Sequence, residues 1–388
     1  VTARRALLAL FVALALPYAC SPVYRFPEPA PFAGAAFYNP YADVRGQWKR
    51  ANLHAHGTAW GGLTNGVQPS AEVARTYRSL GYDIAGVSNY HEIATHTGVE
   101  TLPLYEHGYN VSKRHQLAIG AHRVEWFDFP LWQWSSQEQF IIDRVRDTAA
   151  LVGLTHPLTR GAYSNGELLR LTGYQLIEVA NGPFESQAPW DAALSSGHAV
   201  WAMANDDTHD TGDPRRTAMA WNMIDAPSTS SADIIGALRA GRSYAVSRND
   251  DAPAAMDAQL AGVEVVDGTI HVTIEGAPSD FQIVGQDGAV RIKATDAVAA
   301  SYTLRPQDTY IRTVIRTPRT TMYLNPVIRY DGRALPAPAA AVDPVRTWML
   351  RGVWALALAF AALRLWPRRT AGDRVPSAAA ADTDRETA

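Results

Sequence analysis

The sequence predicts an α/β protein: a parallel sheet closed as a TIM-like barrel, a smaller antiparallel β-sandwich after it, and a hydrophobic helix at each end. Three observations carry this. Short apolar runs that end in ligand-type residues alternate with helical patterns from residue 48 to 250. From residue 257 the pattern changes to short alternating strands with a turn at Asp267-Gly268. Apolar stretches beside arginines occupy residues 6–16 and 348–366.

Taken in order, Arg4-Arg5 and the apolar run up to Pro17 have the layout of a secretory signal or N-terminal anchor, residues 1–20. Residues 21–47, with Pro22, Pro27, Pro29 and Pro31, read as a stiff linker. The barrel region, 48–250, begins with a strand running into Asn52-Leu53-His54-Ala55-His56. In an extended chain, side chains two residues apart point the same way, so both imidazoles face one side. Gly57, Gly61, Gly62 and Gly66 then turn the chain into a loop. A helix follows from Ser70 to Gly81, with Val73, Ala74, Tyr77 and Leu80 on its apolar face. A strand over 84–88 ends at Asn89-Tyr90-His91, and Glu106 follows a further apolar run. The strand 115–119 opens with His115, and a helix capped by Ser136 leads to the strand 151–154 and His156-Pro157. Glu178 lies in the strand 175–179, which ends at Asn181. The strand 199–204 ends at Asn205-Asp206-Asp207-Thr208-His209, and a helix over 232–240 precedes the strand 243–246. Polar residues thus collect past the C-terminal ends of the strands, where barrel enzymes build their sites.

Composition narrows the chemistry. The 388 residues are 47% hydrophobic and 19% charged, with a net charge of −3, which gives no case for a nucleic-acid partner. Cys20 is the single cysteine, so an internal disulfide and a thiolate metal site are both excluded, and any metal must be held by histidine and carboxylate. Lys49, Lys113 and Lys293 are the only lysines. Near the C-terminus, 346–366 has the length and the tryptophans (Trp348, Trp354, Trp366) of a transmembrane helix, with Arg351 and Arg364 placed to snorkel. Arg368-Arg369 would then hold the tail, 367–388, in the cytoplasm as a disordered segment. The body would face outward, tethered to the lipid bilayer.

The motif series resembles the PHP (polymerase and histidinol phosphatase) superfamily of metal-dependent phosphoesterases, over roughly residues 49–248. The resemblance implies a distorted (β/α)7 barrel and an outward-facing hydrolase of a small phosphorylated substrate. It implies metal ligation by His54, His56, His91, Glu106, His115, His156, Asp207 and His209, with Glu106 bridging two ions. Where the family has Thr-Asp-His, this chain has Asn89-Tyr90-His91, which puts Tyr90 in the histidine's place unless the loop is one residue longer. With Gly61 and Gly62 in the loop where some members carry an extra histidine, two divalent ions are expected rather than three. Histidine and carboxylate suit Zn, Mn or Fe. His209 is a ligand or the acid that protonates the leaving oxygen. Arg160 and Arg215, with Arg216, are candidates to contact phosphate, and Asn89, Glu178, Asn181 and Asp206 to hold ligands or water.

Two other classes stay open at this stage. An amidohydrolase also uses His-x-His and a late aspartate but often needs a lysine at its ions, for which Lys113 is the candidate. A binding module with a degenerate site would present a sugar or lipid headgroup, with Trp126, Trp132 and Trp134 as the binding surface.

Overall fold

The structure is a computed structural model and describes residues 2–94, 102–249 and 255–365. The chain forms two compact units, Ser21–Pro344 and the terminal segments.

In the larger unit the site is built on β1 (Trp48–Asn52), β2 (Ile84–Ala85), β3 (Leu104–His107), β4 (Gln116–Ile119), β5 (Leu151–Leu154), β6 (Leu176–Asn181), β7 (Trp201–Asn205), β8 (Ala220–Asp225) and β9 (Ser243–Arg248). The C-terminal half adds β10 (Ala258–Val266), β11 (Thr269–Gly276), β12 (Ser279–Gly285), β13 (Ala289–Ala297), β14 (Ala299–Thr303), β15 (Tyr310–Arg316) and β16 (Thr320–Tyr330). One sheet runs β7-β6-β5-β4-β3. A second runs β13-β12-β15-β16-β9-β8-β1-β2, and β10-β11-β14 form a third.

The fold is mixed α/β, as expected, but among the described residues no sheet closes into a barrel. The all-parallel expectation fails as well. In the first sheet β5, β6 and β7 are parallel, whereas β3 and β4 are antiparallel to their neighbours. The connection from His107 to Gln116 contains no helix and is too short for a parallel crossover, which needs a dozen or more residues. The two large sheets pack on each other where β7 meets β8, β9 and β16, and they also meet at the ends carrying the histidines. Two isolated parallel bridges, Ala55↔Thr208 and Tyr90↔Glu106, join them there. The amide of His56 donates to the Thr208 carbonyl, that of Asp207 to His54 and that of His91 to Glu106, each at 2.9 Å.

Strand β8 has no counterpart in the sequence reading, which passes from His209 to the helix near residue 232. Its sequence places Asn222 mid-strand, where the side chain accepts from the Ala204 amide and donates to the Ala204 carbonyl. A polar residue interrupting an apolar run hides the strand's period.

The sandwich expected as a separate domain over 257–335 shares a sheet with the site: β16 pairs with β9 from Tyr244↔Leu324 to Arg248↔Thr320. One core runs through both halves, taking in Val73, Trp221 and Tyr244 together with Leu260, Ile274, Phe281 and Ile315. The Asp267-Gly268 hairpin joins β10 to β11 with both residues at positive φ, +48° and +74°, as a type I′ turn requires. Residues 21–47 are not a bare linker. Ala36–Tyr38 adds a strand beside β16, and Phe32 and Tyr41 are buried. Burying a large apolar side chain is worth about 1.5–3 kcal/mol, enough to pin a proline-rich segment to the body.

In the terminal unit, the helix Thr2–Cys20 continues through Pro17, which the sequence reading takes as its end. The helix Pro344–Leu365 includes Pro344–Arg364, a stretch long and apolar enough to cross a membrane. Arg351 donates to the Cys20 carbonyl at 3.2 Å. The expected cytoplasmic tail, 367–388, lies outside the described residues.

Candidate metal centre

Two groups of side chains converge where the sheets meet. His54, His56, Glu106 and Asp207 form one, and Glu106, His115 and His156 the other, each with its ligand atoms within 4.8 Å of one another. Glu106 belongs to both.

The placement follows from strand geometry. Past β1 the chain stays extended, so His54 and His56 face the centre while Ala55 between them turns into the hydrophobic core. The same alternation splits the aspartates after β7. Asp207 faces the centre. Asp206 faces away, accepting the Tyr77 hydroxyl at 2.6 Å and the amides of Ala218, Met219 and Ala220 at 2.7–2.9 Å. Asp206 therefore folds the 208–219 loop back over its strand and makes no contact with the ligands. Asp207 and His156 adopt left-handed backbone, φ +50° and +30°. Such conformations are uncommon outside glycine and cluster at functional sites.

The Glu106 carboxylate, on β3, stands at the middle. Its Oε1 lies 2.8 Å from His115 Nδ1, 3.1 Å from His156 Nε2 and 3.4 Å from His54 Nε2, and its Oε2 lies 3.1 Å from His56 Nε2. Asp207 Oδ1 is 3.3 Å from His54 Nε2 and 3.2 Å from His56 Nε2. Glu178 fixes the tautomer of His54, because its Oε1 takes the Nδ1 proton at 2.8 Å and so leaves Nε2 as a lone pair turned to the centre. Glu178 is itself held by the amide of His156 and the side chains of Asn181 and Asn205.

These atoms fit a metal. His54 Nε2, both nitrogens of His56, Glu106 Oε2, His115 Nε2, His156 Nδ1 and Asp207 Oδ1 are buried with no hydrogen-bond partner. A cluster of lone pairs around two buried carboxylates needs positive charge, since an uncompensated buried ion costs several kcal/mol. In the metal-free fold, protons supply it. Burial disfavours charge on His54, but Asp207, Glu106 and Glu178 outweigh that and hold its pKa well above the usual imidazole range. His56 and His156 are raised in the same way by Glu106 and Asp207 against burial. Against burial too, His115 and His54 hold the Glu106 carboxyl well below its usual range, and His54 and His56 do the same for Asp207.

His91 is not brought into the cluster. Its Nδ1 donates to the Glu125 carbonyl at 2.9 Å and its Nε2 accepts from the Gly108 amide at 3.1 Å, so neither nitrogen is available to an ion. Tyr90 takes the place beside the ligands. Its ring stacks on His56 at 4.5 Å and meets His115 edge-on at 5.6 Å. His209 also lies against His56, ring centroids 4.3 Å apart, and 6.2 Å from the Tyr90 ring, with Nδ1 3.1 Å from the Asp207 carbonyl and Nε2 unpartnered. It is in neither ligand group, and burial with the charge of His56 pushes its pKa down to about 4.

The predicted arginines stand apart. Arg160 is exposed in the turn after His156. Arg215 is 85% exposed and bound through Nε and Nη2 to the Asp213 carboxylate at 3.0 and 3.1 Å. Arg216 lies over the Phe184 ring at 5.9 Å. The Asn89 side chain accepts the Gly57 amide at 2.8 Å and so anchors the loop after His56, while its carbonyl accepts the Glu106 amide at 3.2 Å. Lys113 is outside both ligand groups, its ammonium 5.7 Å from the centre of the Tyr90 ring. The lysine that an amidohydrolase would place between its ions is therefore absent from the centre, and Glu106 occupies the middle.

No family model matches the sequence, and no curated protein does. A solved two-domain protein from Bacteroides vulgatus, described as containing a predicted PHP-like metal-dependent phosphoesterase, is similar at 13% identity and a TM-score of 0.40, over 80% of this chain and 99% of that one. At that distance the ligand assignment stands on this chain's own geometry.

Sequence reasoning missed three contributors. Asn205 accepts the Leu53 amide across the seam and holds Glu178, and Asn52 accepts the Asp206 amide. Thr155 donates to Glu106 at 3.3 Å. Each directly precedes or lies within two residues of a motif residue, which is the only signal the sequence offers for them. Gly108 has no role in the sequence reading. At φ +133° it passes the His115 ring so closely that any Cβ would collide with it.

Proposed function

We propose that this protein is a metal-dependent hydrolase of phosphate esters that uses two divalent ions, tethered to a membrane by the helix Pro344–Leu365 with its body facing outward. The observation that carries the reading is the pair of ligand groups sharing one glutamate, the arrangement that holds two ions close enough to act on one phosphoryl group. The motif resemblance to PHP phosphoesterases supports the same class.

Bound there, two ions would supply Lewis acidity to the phosphoryl oxygen and lower the pKa of a water to about 7. The chain does the rest. Glu106 ties the two positions together, and His54 and His56 with Asp207 hold one while His115 and His156 hold the other. Glu178 keeps the His54 proton on Nδ1, away from the centre. The Tyr90 and His209 rings pack on His56 and limit the approach of bulk water to it. His209 presents an unpartnered Nε2 beside His56, where a neutral imidazole can exchange a proton with a leaving oxygen.

The test is metal content by mass spectrometry on the purified chain together with hydrolysis of an aryl phosphate monoester and diester. Two ions per chain and measurable turnover are expected, with turnover falling at least about a thousandfold in His54→Ala and Asp207→Asn. Bound metal without ester hydrolysis would reject the phosphoesterase reading. Tethering has its own test: a chain ending before Pro344, compared with the full chain, moves from the membrane to the soluble fraction if the N-terminal segment is removed as a signal. Retention of the full chain in the soluble fraction would reject the anchor.

A further inference from the structure

A phosphate ester needs a fixed positive group beside the ions, and none of the predicted arginines supplies it. Arg160 is exposed, Arg215 is neutralised by Asp213 and Arg216 lies on Phe184. Lys113 instead lines a cavity that also takes in the ligand His115. This cavity, of about 420 Å³, opens between the 63–65 turn and the 108–115 loop, with Tyr90 and His115 in its wall. That volume is in the range of small-molecule sites. Lys113 lines it and is its only side chain with a permanent positive charge. Among the described residues its ammonium has no carboxylate partner, and its single contact is with the face of Tyr90, the ring that also packs on His56 and His115.

The backbone aims this side chain. Lys113 sits at φ +59°, a conformation that glycine or asparagine adopts more readily, at the close of a turn where its amide donates to the Asn110 carbonyl. Asn110 in turn is fixed by Asp128 and by both the amide and the carbonyl of Arg114. A surface lysine with no role has no reason to be held in such a turn next to a ligand-bearing strand.

We propose that Lys113 is the substrate-binding cation of this site: its ammonium receives a non-bridging phosphoryl oxygen of the ester, and the cavity between the two loops takes the organic group against Tyr90 and Tyr109. This rests on the phosphoesterase reading and adds the residue that recognises the anion. Lysine suits the task as a compact point charge on a flexible stem, able to follow the phosphoryl group from substrate to product.

The experiment uses the full-length, metal-loaded chain in detergent, with inorganic phosphate as the probe by calorimetry and an aryl phosphate for turnover. Lys113→Met should weaken phosphate binding and raise KM by about tenfold, one charge-assisted hydrogen bond, with a smaller change in kcat. Lys113→Arg should restore most of the binding. Lys113→Gly removes the same charge while relieving the left-handed backbone, so it separates loss of charge from a folding defect, and it should match Lys113→Met. Metal content should stay that of the wild type in all three. Unchanged phosphate affinity in both charge-removing variants, with wild-type ester hydrolysis intact, would overturn the role of Lys113 and leave the phosphoesterase reading standing. Loss of metal in them would overturn it too, by making Lys113 a ligand. A metal-loaded wild type that neither binds phosphate nor hydrolyses an ester would remove both readings together.

Discussion

Replacing Glu106 by glutamine is expected to empty both ion positions at once. The carboxylate touches all four of His54, His56, His115 and His156 within 3.4 Å, and both ligand groups include it. Glutamine has nearly the same volume, so packing survives, but the change removes the central negative charge and turns an amide donor or a weaker acceptor toward the ions. Metal content should fall from two ions per chain to below one, and hydrolysis by at least about a thousandfold. Asp207→Asn, by contrast, touches one group only and should leave the position of His115 and His156 occupied. Circular dichroism checks that the variant is folded, and mass spectrometry reads the metal. Two ions retained in Glu106→Gln would show that the carboxylate does not bridge.

The second large effect is a pH dependence of metal stabilisation. Burial opposes charge on His54, but Asp207, Glu106 and Glu178 hold its pKa well above the ordinary value of 6.5 in the metal-free fold. A raised folded-state pKa contributes stability that is fully present below the unfolded value and is lost as pH rises through the folded one. Glu106 and Asp207 behave in the opposite sense. Their carboxyls are held low, so their contribution is present above the ordinary carboxylate value and lost on acidification below it. The contribution of His54, Glu106 and Asp207 to the metal-free fold is therefore greatest between those limits and falls above about pH 6.5, while His91, His115, His198 and His209, whose pKa values burial lowers, act in the opposite sense below it. An ion must displace the imidazolium protons held by the carboxylates, so its apparent affinity should climb about tenfold per pH unit for each proton released. Thermal melts with and without zinc, at several pH values from about 6 to about 8, should show a metal-induced rise in Tm that grows steadily with pH. A rise independent of pH would mean that the ligands are unprotonated in the metal-free fold.

Much of the centre was legible because its logic is local. His54 and His56 share a face by strand alternation, and His156 and Asp207 end strands that read clearly from their apolar runs. What failed was decided by specific side-chain partners, near or distant in sequence, that no apolar pattern encodes. His91 looked like a ligand until the Gly108 amide and the Glu125 carbonyl claimed its nitrogens. Arg215 looked free until Asp213, two residues before it, closed on it. The barrel failed for a similar reason. Strands β3 and β4 read like others in the series, but direction depends on the connection between them, and no periodicity encodes that. The shared sheet between β9 and β16 joins segments with a whole hairpin region between them, beyond the reach of any window along the chain.

The seam between the two large sheets has a consequence for how the molecule holds together. Two isolated bridges tie its ends, and they sit at Ala55, Tyr90, Glu106 and Thr208, among or beside the ligands. One sheet supplies His54 and His56, and the other supplies Glu106, His115, His156 and Asp207. An ion bound by both groups would work as a rivet through two plates at that end of the seam. The Leu53–Asn205 contact next to it closes a loop of 152 residues, and loop closure adds little further entropy cost beyond the first tens of residues. Metal centre and mechanical joint would then be one object, and a change that loosens the ions would loosen that end of the seam.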